Sequence, residues 1–232
     1  LADERSRELF DDMVAFKLTG RLEYLFKDIS TPDEAWSELL SPEKYELAVD
    51  LGAYNGDTVR EIRKYCPAIK RIISFEPDKK NFAKLEKYVL ENCPELCVIY
   101  NCAVSDENGR VVFSAESSRN SAVSKDHRMG NGAKTVEIPC MSVDGAVKDK
   151  KRVDYIKYDV EGAEAQGLLG ASDTIKKHAP DILVSAYHRS RDLFELPILL
   201  KRLNPEYKLY LRRFPYIPAW DLNLYAIQGK YQ

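Results

Sequence analysis

Long apolar runs are missing from this 232-residue sequence. None approaches the ~18 to 20 residues that a membrane span needs, and no charged-then-apolar leader is visible at the start. Net charge is nearly missing too: 35 basic against 37 acidic side chains leave −2, so no global field draws the chain toward nucleic acid or anionic lipid. The short basic run "KDKKR" at 148–152 reads as a solvated loop. Cysteine is sparse: there are five, with no CxxC pair and one odd thiol, which offers no zinc spacing and suits a reducing compartment better than a disulfide framework. A soluble, cytoplasmic protein without a nucleic-acid or membrane partner is expected. The dinucleotide fingerprint is also missing, because counting from Gly52 puts Tyr54 third and Asp57 sixth where that fingerprint needs glycines. No Gly-Lys-Ser/Thr follows, so a Walker A loop is excluded as well.

What is present fits one domain with some additional structure, since 44% apolar and 31% charged residues suffice to bury a core. Residues 1–41 read as a helical extension. "RELFDDMVAFKL" has helical spacing and stops at Gly20, and "TPDEAWSELL" offers Thr31 as N-cap, Pro32 at the first helical position and Glu34 to close a capping box. Residues 42–232 then form the main domain, in which short apolar runs alternate with helical segments: "ELAVD", "RIISFE", "CVIYN", "VDYIKYD", "DILVSAY", "YKLYLRRF" and "LNLYAIQ". That alternation predicts a mostly parallel sheet with helices on both faces. The last two strands are joined by "PYIPAW", too short for a helical crossover, and should pair antiparallel at one edge. "GRVVFSA" and "KTVEIPC" read as strands flanking a Ser-, Asn- and Gly-rich loop, "ESSRNSAVSKDHRMGNGA", a candidate lid.

The segment "LAVDLGAYNGDTVREI", Leu47 to Ile62, runs from the first strand through two glycines into a helix. In open α/β sheets, ligands sit beyond the carboxyl ends of the strands, and the first such turn is the usual place. Glycine there lets backbone approach a ligand, and Asp50 sets a carboxylate where it repels phosphate yet attracts an ammonium or sulfonium group. The spacing Asp-x-Gly-x-x-x-Gly resembles the first motif of Rossmann-like S-adenosylmethionine-dependent methyltransferases. The strand "RIISFEP" ends in Glu76, whose carboxylate can accept hydrogen bonds from both ribose hydroxyls. In order, "VDLGAYNGDT", "FEPD", "NCAVSDENG", "VDYIKYDVEGAE", "SAYHRSRDLFELP" and "YKLYLRR" resemble the FkbM family of methyltransferases, over about residues 45 to 228.

The resemblance implies a class I methyltransferase fold, with a seven-stranded sheet in the order 3-2-1-4-5-7-6. It also implies S-adenosyl-L-methionine as cofactor and a hydroxyl of a sugar, glycan or secondary metabolite as acceptor. Carried over by position, it makes Asp50, Gly52, Tyr54, Asn55 and Gly56 the cradle for the methionine part and Glu76 the ribose clamp. Asn101 and Ala103 would lie along the adenine, with Ser105 and Asp106 as neighbours. Asp159 and Glu161 would line the boundary between cofactor and acceptor. Two departures, Tyr158 for the usual isoleucine and Asn223 where a threonine is common, could alter the acceptor pocket.

A hydroxyl acceptor has to lose its proton, so a base within reach would help. Candidates are Asp159, Glu161, Glu164 and His188, the last because an ordinary histidine is neutral near pH 7; His127 and His178 look like loop and helix-end residues. Asp159, Glu161 and His188 could instead hold Mg²⁺, although paired carboxylates at a sheet edge are common without metal, and no metal is expected. Tyr216 and Trp220 could reach an acceptor, and Cys102 reads as a small apolar filler. Two functional alternatives stand beside O-methylation: N-methylation, and a cofactor-binding module of the same fold that acts in a complex through its helical extension. The oligomeric state is left open.

Overall fold

The computed structural model describes residues 1–114, 123–124, 135–216 and 221–229. Most of the candidate lid, His127 within it, and Trp220 lie outside the described residues. The helical start forms as its caps dictate. Asp3 accepts the Ser6 N–H at 3.0 Å to open α1 (Glu4–Thr19), and Gly20, at a φ of 70°, closes it in the left-handed region. A 3-10 turn at Leu22–Leu25 follows, then α2 (Pro32–Glu38) behind the Thr31/Glu34 capping box, then a second 3-10 turn at Pro42–Lys44.

Strands and helices alternate from there: β1 (Leu47–Leu51), α3 (Asp57–Tyr65), β2 (Arg71–Phe75), α4 (Lys79–Asn92) and β3 (Cys97–Tyr100). A smaller group comes next, β4 (Ala103–Val104), β5 (Gly109–Ser114), β6 (Val123–Ser124), β7 (Thr135–Met141) and α5 (Val143–Val147). The chain then returns through β8 (Tyr155–Tyr158), α6 (Glu164–Leu169), α7 (Ser172–His178), β9 (Asp181–Ser185), α8 (Asp192–Leu203), β10 (Lys208–Arg213) and β11 (Leu222–Ile227). The seven-stranded sheet runs β3-β2-β1-β8-β9-β11-β10. Numbered within that sheet alone, the order is 3-2-1-4-5-7-6, as the resemblance implies. All its pairs are parallel except β11, which is antiparallel to both β9 and β10. The two strands flanking the lid pair antiparallel, β5 with β7, inside a separate four-stranded sheet ordered β4-β7-β5-β6.

The two-residue period of the strands sorts their side chains onto two cores. Val49, Ile73, Ile156 and Val184 pack beneath α1 and α5 to α8, whereas Ala48, Ile72, Tyr155 and Leu183 face α2, α3 and α4. Each fully buried aliphatic side chain contributes about 1.5–3 kcal/mol. The helical start is part of this packing: Leu9, Met13 and Leu25 share a core cluster with Leu209 and Leu211 of β10. It also covers the edge of the sheet. Ala2 N–H donates to the Leu209 carbonyl at 2.7 Å, and Ser6 Oγ accepts the Leu211 N–H at 2.9 Å. Among the described residues no helix is long and apolar enough to cross a membrane.

Candidate active site

The carboxyl ends of β1, β2, β8 and β9 open into a cleft of about 1050 Å³. The turn after β1 forms its first wall. Gly52, at a φ of 87°, and Ala53 both donate their N–H to the Phe75 carbonyl, at 3.0 and 2.9 Å. A Cβ at position 52 would overlap the backbone carbonyl oxygen of Asp159. Glycine is therefore demanded here by the neighbouring strand end as well as by its dihedral, where the sequence suggests only ligand approach. Gly56, at a φ of 88°, precedes α3, with Tyr88 packed where a side chain would go.

Glu76 joins this turn to the next. One carboxylate oxygen accepts the Tyr54 N–H and the other the Asp78 N–H, both at 2.8 Å. Burial pushes its carboxyl up to about 7. Asn101 supports the same loop from behind, its side-chain amide donating to the carbonyls of Glu76 at 2.8 Å and Pro77 at 3.3 Å. Gly52, Tyr54, Glu76 and Ala103 line the cleft; Asp50, Asn55, Gly56, Asn101, Ser105 and Asp106 do not. Asp50 is fully buried, register-paired with Lys157 and Ser74, and its carboxylate oxygens have no hydrogen-bond partner. Desolvation pushes it up to about 7, against the pull of Lys157. The direct attraction of a ligand cation by Asp50, expected from the sequence, is thus replaced by a carboxylate set behind the turn.

The second wall follows β8 and β9. Asp159 donates its N–H to the Leu51 carbonyl at 2.9 Å, which ties it to the end of β1. Its Oδ1 accepts the Tyr187 hydroxyl at 3.0 Å, and its Oδ2 lies 3.6 Å from Lys157 Nζ. Glu161, at a φ of 53°, and Gly162, at 94°, turn the chain toward α6. The Glu164 carboxylate sits inside that turn, accepting the Val160 and Gly162 N–H groups at 3.1 and 3.3 Å. His188 is held between acids: Nδ1 is 2.8 Å from Glu164, and Nε2 is 3.3 Å from Glu161 and 3.6 Å from Asp159. Burial by itself would lower its pKa, but Glu161, Glu164 and Asp159 raise it to about 10. The surrounding acids thus favour the imidazolium over the neutral histidine assumed from the sequence. Among the described residues, no group of three or more His, Cys, Asp or Glu is arranged to hold a metal ion.

Of the departures, Asn223 lines the cleft, as does Tyr216, whereas Tyr158 is buried in the core against Gly167 and does not line it. Cys102 lines the cleft as a buried thiol, pushed up to about 11 by desolvation. Lys157, Tyr187 and Asp221 also line the cleft and were not singled out from the sequence. Lys157 was detectable: a lysine inside the apolar strand "DYIKY" must find partners, and it finds the Thr58 hydroxyl at 2.8 Å and the charges of Asp159, Asp50, Asp57 and Glu61. The helical start contributes as well. Pro32 lines the cleft, and the Trp36 indole N–H donates to Glu61 at 2.8 Å.

No curated protein matches the chain. Among solved structures, the methyltransferase FkbM from Methylobacillus flagellatus KT is similar with a TM-score of 0.79 at 24% identity, over 97% of this chain and 56% of that one. The chain therefore spans a little over half the length of that protein. An rRNA methylase from Streptococcus thermophilus has a TM-score of 0.50 at 10% identity, covering 84% of this chain and 92% of that one. A Streptococcus mutans protein in complex with SAH has a TM-score of 0.50 at 9% identity, covering 85% and 97%. These likenesses are to the Rossmann-like class I methyltransferase fold. The methyltransferase FkbM domain itself matches residues 50–217, and the chain belongs to that family.

Proposed function

We propose that the chain binds S-adenosylmethionine in this cleft and methylates a hydroxyl group of a sugar, glycan or secondary metabolite. The residues present fit the cofactor. Each Glu76 oxygen accepts one backbone N–H, which leaves further lone pairs for a ribose diol. Gly52, Tyr54 and Ala103 supply backbone and one aromatic ring along the same wall, while Asp50, Asn55, Gly56 and Asn101 hold that wall from behind. When bound, the cofactor supplies a methyl group already activated by its sulfonium. The protein's share is to align the acceptor and manage its proton.

The observation that carries this reading is the position of Asp159. Its backbone packs on Gly52 at the cofactor wall, and its carboxylate accepts from Tyr187 on the other. Asp159, Glu161 and His188 stand together at the boundary between cofactor and acceptor in this proposal, and Tyr216, Asp221 and Asn223 line the rest of the cleft, where an acceptor would lie. Leu9, Met13 and Trp36 are buried within the fold, which counts against a non-catalytic module docking through those residues. The test is incubation with methyl-labelled S-adenosylmethionine and a panel of neutral glycosides and hydroxylated metabolites. Equimolar methyl ether and S-adenosylhomocysteine are expected. Tight binding of S-adenosylhomocysteine without turnover on any hydroxyl or amine would favour the binding module instead.

A further inference from the structure

Taking methyl transfer to a hydroxyl as the reaction, we propose that Asp159 receives the acceptor's proton and that His188 is a positioning residue, its buried ring lying among three carboxylates. Neutral imidazole carries one N–H and one bare lone pair. Here Nδ1 faces Glu164 at 2.8 Å, and Nε2 faces Glu161 at 3.3 Å and Asp159 at 3.6 Å. In either tautomer the bare nitrogen would oppose carboxylate lone pairs; only the doubly protonated ring suits both sides. The side chain is 8% exposed. Arg189, whose guanidinium lies against Gly162, and Asp192, which accepts the Arg189 N–H at 2.7 Å, complete the charged groups around it. Glu164 is also unsuited to receive the proton, since its side chain is 1% exposed, with Oε1 holding the turn amides.

Asp159 differs on each count. Its side chain is 31% exposed and lines the cleft, and besides His188 its partners are donors, the Tyr187 hydroxyl and Lys157. Its remaining lone pairs are open to an acceptor. In the transfer, the acceptor's O–H bond breaks and its electron pair stays on oxygen, which forms the new bond to carbon as the carbon–sulfur pair returns to sulfur. The proton goes to an Asp159 carboxylate oxygen and leaves from there to solvent.

The test uses the full chain, ¹⁵N-labelled and saturated with S-adenosylhomocysteine. It has three histidines, and the His188 ring signals are identified by their loss in H188Q or, should that variant not fold, in H188K. Two ring N–H signals that stay unshifted from about pH 6 to about pH 8.5 are expected; a bare nitrogen, or a midpoint near the ordinary histidine value, overturns the assignment. These spectra need no acceptor, so they judge His188 even where the methyl-transfer reading fails. With a hydroxyl acceptor, D159N is expected to lower kcat by about 100-fold or more and to keep its affinity for S-adenosylhomocysteine. H188K should keep more of kcat than H188Q. A loss of kcat in H188K as deep as in H188Q, with D159N near wild type, would reverse the roles, and transfer to amines alone would overturn the part given to Asp159.

Discussion

Glu76 loses hydration at the cleft wall, and burial places its carboxyl at about 7. Ribose hydroxyls would bond best to its ionised form, so below that value a proton competes with the ligand. Calorimetric titration should find affinity for S-adenosylhomocysteine flat above about pH 8 and falling by up to about tenfold per pH unit on acidification, with E76Q weaker and less dependent on pH. His188 predicts the course of stability. Its folded pKa of about 10 lies above the unfolded value of about 6.5. The stabilisation it gives is full below about pH 6.5 and is lost as pH rises through about 10. The melting temperatures of wild type and H188Q should therefore lie furthest apart in mild acid and converge in alkali. Gly52→Ala meets both a positive φ and the Asp159 carbonyl; a loss of about 3 kcal/mol or more is expected in denaturant melts. At this scale the sequence pointed to the cleft through Gly52, Glu76 and Asp159, because turn spacing and strand ends are local properties. It misjudged the charge of His188 and the placement of Asp50, because both depend on atoms that only the folded chain brings near.

Helices and strands were legible further than single charges. Capping at Thr31 and Glu34, the stop at Gly20 and the apolar strands follow from neighbours in sequence. The smaller sheet was legible only as two strands, since the pairing of β4 with β7 joins residues 103 and 140 across a long segment. The contact of α1 with the sheet edge left no local trace either. Ser6 Oγ accepts both the Leu211 N–H and an Arg212 guanidinium N–H at 2.9 Å, with Asp3 pairing the same guanidinium at 2.7 Å. Ser6→Ala would strand a buried backbone donor and should cost about 1–3 kcal/mol in thermal or denaturant unfolding, leaving the cleft in place.

The described residues form two helical layers about a seven-stranded sheet, with a separate four-stranded sheet, and the strand order of the larger one is that implied by the family resemblance. Whether residues 1–41 stand apart was less legible, because amphipathic spacing does not say which surface is covered. Their packing into the core and along β10 predicts that a chain beginning at residue 42 would lose cooperative melting and aggregate, as uncovered sheet edges do. Circular dichroism melts and gel filtration of that truncation would decide it. The main-chain link between Leu51 and Asp159, closed by the missing side chain at Gly52, bears on redesign. It acts as a fixed gauge between the two halves of the cleft, built of main-chain atoms. Replacing Tyr216, Asp221 or Asn223 could then retailor the guest while the donor's seat keeps its dimensions.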